Sequence, residues 1–230
     1  MDYKEWEPIY HKIVSDFSFS IETDRQAADV LNSLIQKKQG YPVDKLNFLI
    51  KNKNIAVFGA GPSLEFSLEL YEEEFNNKTI TIAADGATTA LMKKHILPDI
   101  IVTDLDGKIS DQIKANRDGS IVVIHAHGDN LQQIIMYVPQ FKWPMVGTVQ
   151  VNPDVYDNIY NFGGFTDGDR AVFLATHFQA KNITLVGFDF NGDIGKYSFT
   201  QKKNKEKKLR KLKWCKYLIE LLDKQNIHYF

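Results

Sequence analysis

The sequence predicts an α/β fold: a mainly parallel sheet flanked by helices, preceded by a helical arm and followed by an amphipathic C-terminal helix. Three observations carry that prediction. From Asn54 onward, short β-branched runs alternate with stretches of helical periodicity, the pattern of repeated βαβ units. The run Ile100-Ile101-Val102 is apolar without alternation, which suits a strand covered on both faces. Four or five of the expected strands also end in Asp and Gly, at the edge where open parallel sheets bind ligands.

Composition narrows the function. A chain of 230 residues with 43% apolar content can bury a substantial core. Its 28 basic and 29 acidic side chains nearly cancel, so nothing biases it globally toward nucleic acid or an anionic membrane, and any phosphate site must be local. Cys215 is the single cysteine, which excludes an internal disulfide and a cysteine-rich zinc site. There is no apolar run of about 18 residues and no signal-like start, so the expected location is cytoplasmic, with no membrane partner.

Residues 1–50 read as the helical arm and residues 51–230 as the main α/β domain. Tyr3, Trp6, Ile9, Tyr10, Ile13 and Val14 recur at helical spacing, and Ala27, Ala28, Leu31, Leu34 and Ile35 form a second stripe, stopped by Gly40 and Pro42. The arm packs on the main domain or serves as a dimerisation element, and a homodimer is the expected assembly.

In the main domain, Ile55-Ala56-Val57-Phe58 is a strand, and Gly59-Ala60-Gly61-Pro62-Ser63-Leu64 turns from it into a helix over residues 63–74. Such a turn offers free N–H groups to a phosphate, although it lacks the third glycine of a dinucleotide site and the Gly-Lys-Ser/Thr of a P-loop. A strand over residues 79–83 ends in Ala84-Asp85-Gly86-Ala87. The central strand delivers Asp104-Leu105-Asp106-Gly107, two carboxylates that point the same way if the backbone stays extended. A like-charged pair is costly without a cation or proton between its members, and Mg²⁺ shared with substrate phosphates resolves the conflict.

A fourth strand, residues 121–124, runs into His125-Ala126-His127-Gly128-Asp129-Asn130, where nucleotide or substrate contacts are favoured over a transition-metal site. After a strand over residues 145–151 and a polar, aromatic loop, Gly163-Gly164-Phe165-Thr166-Asp167-Gly168-Asp169-Arg170 opens a helix that Thr166 or Asp167 can cap. The last core strand, residues 183–187, leads to Asp189, Gly192 and Asp193. Lys202 to Lys211 begin a basic amphipathic helix, read as a solvated face or as a flap over phosphates, and residues 227–230 read as a short closing strand. Converging acids and glycines indicate a polyphosphate and Mg²⁺ site.

Taken in order, these motifs resemble the archaeal 6-hydroxymethyl-7,8-dihydropterin diphosphokinases, a family similar in fold to thiamine pyrophosphokinases. The resemblance covers roughly residues 54–193 and the basic helix. It implies a Rossmann-like sheet and transfer of diphosphate from ATP to a hydroxymethylpterin, releasing AMP with Mg²⁺ required, in the synthesis of folate-like cofactors such as tetrahydromethanopterin. It assigns Asp104, Asp106 and Asp85 to the metal, and Asp104, Asp106, Asp129, Asp167 and Arg170 to catalysis. Gly59, Gly61, Pro62, Ser63, Asp85, Gly86, His127, Gly128, Thr166 and Asp169 would contact ATP or the reduced pterin. Asp129 or Asp167 would read the pterin edge, while a plain ion pair to Asp167 is the alternative for Arg170.

The Gly-Gly-Arg-x-Asp-His and Asp-x-Thr-Asp segments of thiamine pyrophosphokinases have no full counterpart here, which makes thiamine the less favoured acceptor. A nucleotide-sugar glycosyltransferase using the Asp-x-Asp pair and a non-catalytic nucleotide-binding module are the rival readings.

Overall fold

A computed structural model describes residues 1–38, 40–70, 79–142, 144–191, 194–199, 205–222 and 224–230. Residues 71–74 of the first expected βα helix, Gly192, Asp193 and residues 201–204 of the basic run lie outside the described residues. The arm comprises α1 (Tyr3–Phe17), α2 (Ile21–Lys37) and a third helix, α3 (Val43–Ile50). Then follow β1 (Asn54–Phe58), α4 (Leu64–Glu69), β2 (Ile80–Ala84), α5 (Ala87–Lys93), β3 (Ile100–Thr103), α6 (Ile109–Asp118), β4 (Ile121–Ala126) and α7 (Leu131–Tyr137). The chain continues through β5 (Met145–Val149), β6 (Ile159–Tyr160), α8 (Asp167–His177), β7 (Asn182–Val186), α9 (Lys205–Leu221) and β8 (Ile227–Tyr229).

These strands form one sheet in the order β6-β5-β4-β3-β2-β1-β7-β8, and every pairing is parallel. Six strands are laid down in succession in one direction, and β7 then crosses back to pair with the other edge of β1. That reversal opens a crevice beyond the carboxyl ends of β1 and β7, the usual ligand position in such sheets. The short edge strand β6 falls in the segment the sequence presents as a loop, because two residues are too few to show a period.

Ile101 packs into one core with α1 and α2, while Ile100 and Val102 pack into the opposite core with α3, α8 and α9. Two covered faces explain why this strand shows no polar alternation. The arm spends its apolar stripe within its own chain: Trp6, Tyr10, Ile13, Leu31 and Ile35 are buried beside Val122, Ile124 and Val149. A side chain of that size contributes about 2 kcal/mol when withdrawn from water, so packing on the sheet accounts for the stripe.

Candidate active site

Four carboxylates meet at the carboxyl ends of the strands. Asp85 follows β2, Asp104 and Asp106 follow β3, and Asp167 opens α8, and each presents one oxygen within 4.8 Å of the others. The Asp104 and Asp106 pair does not converge through extended backbone. β3 ends at Thr103, and Leu105 takes a left-handed conformation with φ 67°, its side chain buried in the core between the two acids. Left-handed backbone is uncommon for Leu and is held here by that burial together with a hydrogen bond from its N–H to Thr103 Oγ1 at 2.9 Å.

Neighbouring side chains fix each acid. Asp85 Oδ1 accepts from Thr103 Oγ1 at 2.8 Å and from Gln112 Nε2 at 2.7 Å. A Cβ on Gly107 would stand 2.3 Å from Asp85 Oδ2, so only glycine lets the Asp106 turn approach this carboxylate. His127 Nε2 lies 3.3 Å from Asp104 Oδ2, and Asp104 Oδ1 is buried without a partner among the described residues. Arg170 Nη1 donates to Asp167 Oδ1 at 3.2 Å, the ion pair weighed for it, and its Nε has no partner among the described residues.

The charges of the four acids are in conflict. Burial and the nearby Asp104 charge raise Asp85 above the ordinary carboxylate range, and the same two causes raise Asp167 against the pull of Arg170. Partial desolvation, then repulsion from Asp104, Asp85 and Asp167, pushes Asp106 up to about 9. Asp106 is exposed at the mouth of the cleft, so repulsion is the part that survives contact with water. For Asp104 burial acts upward, but His127, Lys211 and Arg170 hold it well below the usual range. A divalent cation would satisfy this arrangement, because each of the four carboxylates offers a hard oxygen and Asp104 Oδ1 has no partner among the described residues.

Two cavities flank the cluster. The first, about 780 Å³ of open space, is lined by Gly59, Gly61, Asp85, Gly86, Asp106, Thr166 and Asp167, together with Phe188, Tyr197, Lys208 and Lys211. The second, about 620 Å³, is lined by His127, Gly128, Asp129 and Arg170 together with the α1–α2 turn.

Other expected site residues stand apart from the four carboxylates. Asp169 is fully buried and accepts from the backbone N–H groups of Phe165 and Thr166 and from Thr166 Oγ1, so it closes the start of α8 as a capping box. Asp129 faces the second cavity and pairs with Lys207 at 3.4 Å. Ser63 N–H and Oγ both donate to Asp189 Oδ2, at 3.0 and 2.8 Å, and a Cβ on Gly61 would meet that same oxygen at 2.2 Å. A protein carboxylate therefore takes the N–H at this turn, and Pro62 is exposed beside it. His125 is buried against Thr148 and joins no metal-binding group among the described residues.

Sequence reasoning missed Thr103, Gln112, Asp24 and Gln150. Asp24 is buried and accepts from Tyr10 Oη at 2.6 Å, Gly128 N at 2.7 Å and Gln150 Nε2 at 2.9 Å. Asp24 sits on a helix with ordinary amphipathic spacing, and nothing local in the sequence marks it. Helix α9 lies across the aromatic floor of the site, with Lys207, Arg210 and Lys211 over the rings of Phe19, Phe17 and Phe165 at 5.0, 4.7 and 5.5 Å. No helix among the described residues is long and apolar enough to cross a membrane.

Comparison with known proteins agrees with the geometry. A solved glycosyltransferase of Magnetospirillum magneticum AMB-1 aligns over 74% of this chain and 29% of its own, with 12% identity and a TM-score of 0.46. A thiamine pyrophosphokinase of Bacillus subtilis aligns over 73% of this chain and 57% of its own, with 15% identity and a TM-score of 0.33. Likenesses at that level carry no functional weight. The 6-hydroxymethyl-7,8-dihydropterin pyrophosphokinase of Methanocaldococcus jannaschii is 44% identical over 241 aligned positions, spanning 100% of this chain and 99% of the relative. The profile described as 6-hydroxymethylpterin diphosphokinase MptE-like matches residues 29–194, and the chain belongs to that family.

Proposed function

We propose that this chain is a 6-hydroxymethyl-7,8-dihydropterin diphosphokinase, which moves the β,γ-diphosphate of ATP to the pterin hydroxymethyl group and releases AMP. The observation that carries the proposal is the set of four carboxylates, Asp85, Asp104, Asp106 and Asp167, converging beside two adjoining cavities. Relatives of the same length named for this reaction support it.

Asp104, Asp106 and Asp85 would hold Mg²⁺, which when bound would supply positive charge beside the phosphates. The chain's own residues supply position and charge. Lys208 and Lys211 face the first cavity, where they compensate the triphosphate. Arg170 keeps the Asp167 carboxylate aimed into the cluster, and the bond from His127 does the same for Asp104. Gly59, Gly61 and Gly86 line the same cavity, and their missing Cβ atoms let Gly187, Asp189 and Tyr197 close its wall. We place the enzyme in the cytoplasm, where its lone buried Cys215 needs no partner.

The test is product analysis with ATP, Mg²⁺ and a panel of acceptors. AMP formed in step with pterin diphosphate supports the reading. AMP with thiamine but not the reduced pterin, or consumption of a sugar nucleotide instead of ATP, overturns it.

A further inference from the structure

We infer that the second cavity, between the α1–α2 turn and the ends of β4 and β5, is the subsite for the planar heteroaromatic acceptor, with Asp129 reading its amino-pyrimidinone edge. The inference rests on the diphosphokinase reading and assigns the two cavities their separate ligands.

The linings differ in chemistry. The first cavity has a glycine floor, aromatic and aliphatic walls and two lysines, which suit a purine and a triphosphate. The first is also lined by Asp85, Asp106 and Asp167, which a cation shared with phosphates would neutralise, whereas the second has Asp24 and Asp129, away from the cluster, which accept hydrogen bonds from a ring amino group and its neighbouring N–H. Both oxygens of Asp24 are already engaged. Among the described residues the Asp129 side chain is tied to Lys207, at 3.4 Å with both side chains about half exposed, a surface pair that a better-placed donor displaces. Phe19 and Phe165 stand 6.3 Å apart in this wall and give it an aromatic edge, their faces being covered by Lys207 and Lys211.

Unmet hydrogen-bonding groups point the same way. Gln150 and Arg170 both line the second cavity and are 4% and 6% exposed. Gln150 Oε1 and Arg170 Nε have no partner among the described residues, a cost that a polar ligand edge would relieve.

The second cavity also touches the reacting centre. Lys211 lines both cavities, His127 reaches from the second to Asp104, and Arg170 reaches from it to Asp167. A hydroxymethyl group on a ring held there meets phosphates held at the carboxylates. The arm is then part of the acceptor site, since Ser20, Thr23 and Asp24 belong to its second helix and cap.

Calorimetric titration of the full chain with 6-hydroxymethyl-7,8-dihydropterin, and separately with α,β-methylene-ATP and Mg²⁺, tests the assignment. Thr23→Trp, which places a large ring at the cavity rim, and Asp129→Asn should each weaken pterin binding about tenfold or more while leaving analogue affinity within about twofold. Ser198→Trp, in the first cavity, should do the reverse. If wild type binds the pterin and both Thr23→Trp and Asp129→Asn bind it equally well, the cavity assignment is wrong. If Ser198→Trp loses the pterin and keeps the analogue, the two ligands are interchanged. A wild type that binds no pterin and forms no AMP overturns the activity itself, and this subsite with it.

Discussion

His127 donates to Asp104 through Nε2, at 3.3 Å from Oδ2, because its other ring nitrogen is already used: Nδ1 accepts the Asp129 backbone N–H at 3.2 Å. The loop that supplies this histidine is itself pinned, since Asn130 donates to the carbonyls of Asp104 and His125, both at 2.7 Å, and accepts from His127 N. The imidazole thus has one tautomer and one role, to aim a carboxylate that is expected to bind metal. His127→Phe should weaken Mg²⁺ dependence by about tenfold to a hundredfold, measured as the Mg²⁺ concentration giving half-maximal AMP release. An unchanged Mg²⁺ curve would remove that role.

Asp106 is the most accessible of the four acids and takes no part in the core. Asp106→Asn should therefore leave the fold intact by circular dichroism while lowering kcat about a thousandfold or more, by analogy with the loss of one charge-stabilising group. Turnover near wild type would exclude it from the metal site.

Crowding of the carboxylates predicts a pH-dependent stability. Asp85, Asp106 and Asp167 keep their protons to higher pH in the folded chain than in the unfolded chain, where such groups titrate near about 4. Between that value and about 9 for Asp106, the folded state binds more protons, so raising the pH destabilises the metal-free protein. Asp104 has the opposite sign, and its contribution is lost only when the pH falls below the ordinary carboxylate range. The Tm of metal-free protein should drop from about pH 5 to about pH 9, and saturating Mg²⁺ should flatten the slope. A slope indifferent to Mg²⁺ would show that no cation resolves the repulsion.

Asp24 ties the arm to the site through Tyr10, Gly128 and Gln150. Asp24→Ala strands two buried donors and one half-buried donor and should cost about 3 kcal/mol in urea unfolding, whereas Tyr10→Phe removes one hydrogen bond and should cost about 1 kcal/mol. Because Gly128 adjoins His127 and Asp129, Asp24→Ala should also raise KM for the pterin more than KM for ATP. Equal costs for the two variants would mean that the bonds at Gly128 and Gln150 contribute nothing.

Much of this arrangement is legible in residue order. The strand exits announce themselves because a buried parallel strand must end where its apolar run ends, and Asp85, Asp104, Asp106 and Asp167 each follow such an end or open the next helix. The capping box at Thr166 and Asp169 is equally local, although residue order alone did not tell which of the acids in that segment faces inward to the helix start and which faces the cleft. Asp189, expected as one more acid on the ligand rim, lines the first cavity and also bonds Ser63 across 126 residues of chain, a pairing no local pattern encodes.

By itself, then, the sequence determined the α/β layering, the helical arm and the identity of the acids, since periodicity and strand punctuation are properties of short segments. Only the tertiary structure decided which acids share one cation-sized space, that the kink at Leu105 brings Asp104 and Asp106 together, and that Asp24 and Gln150 of distant segments wall a second cavity. Those outcomes depend on contacts between residues far apart in the chain, set when strand order and core packing bring the loops to one edge of the sheet.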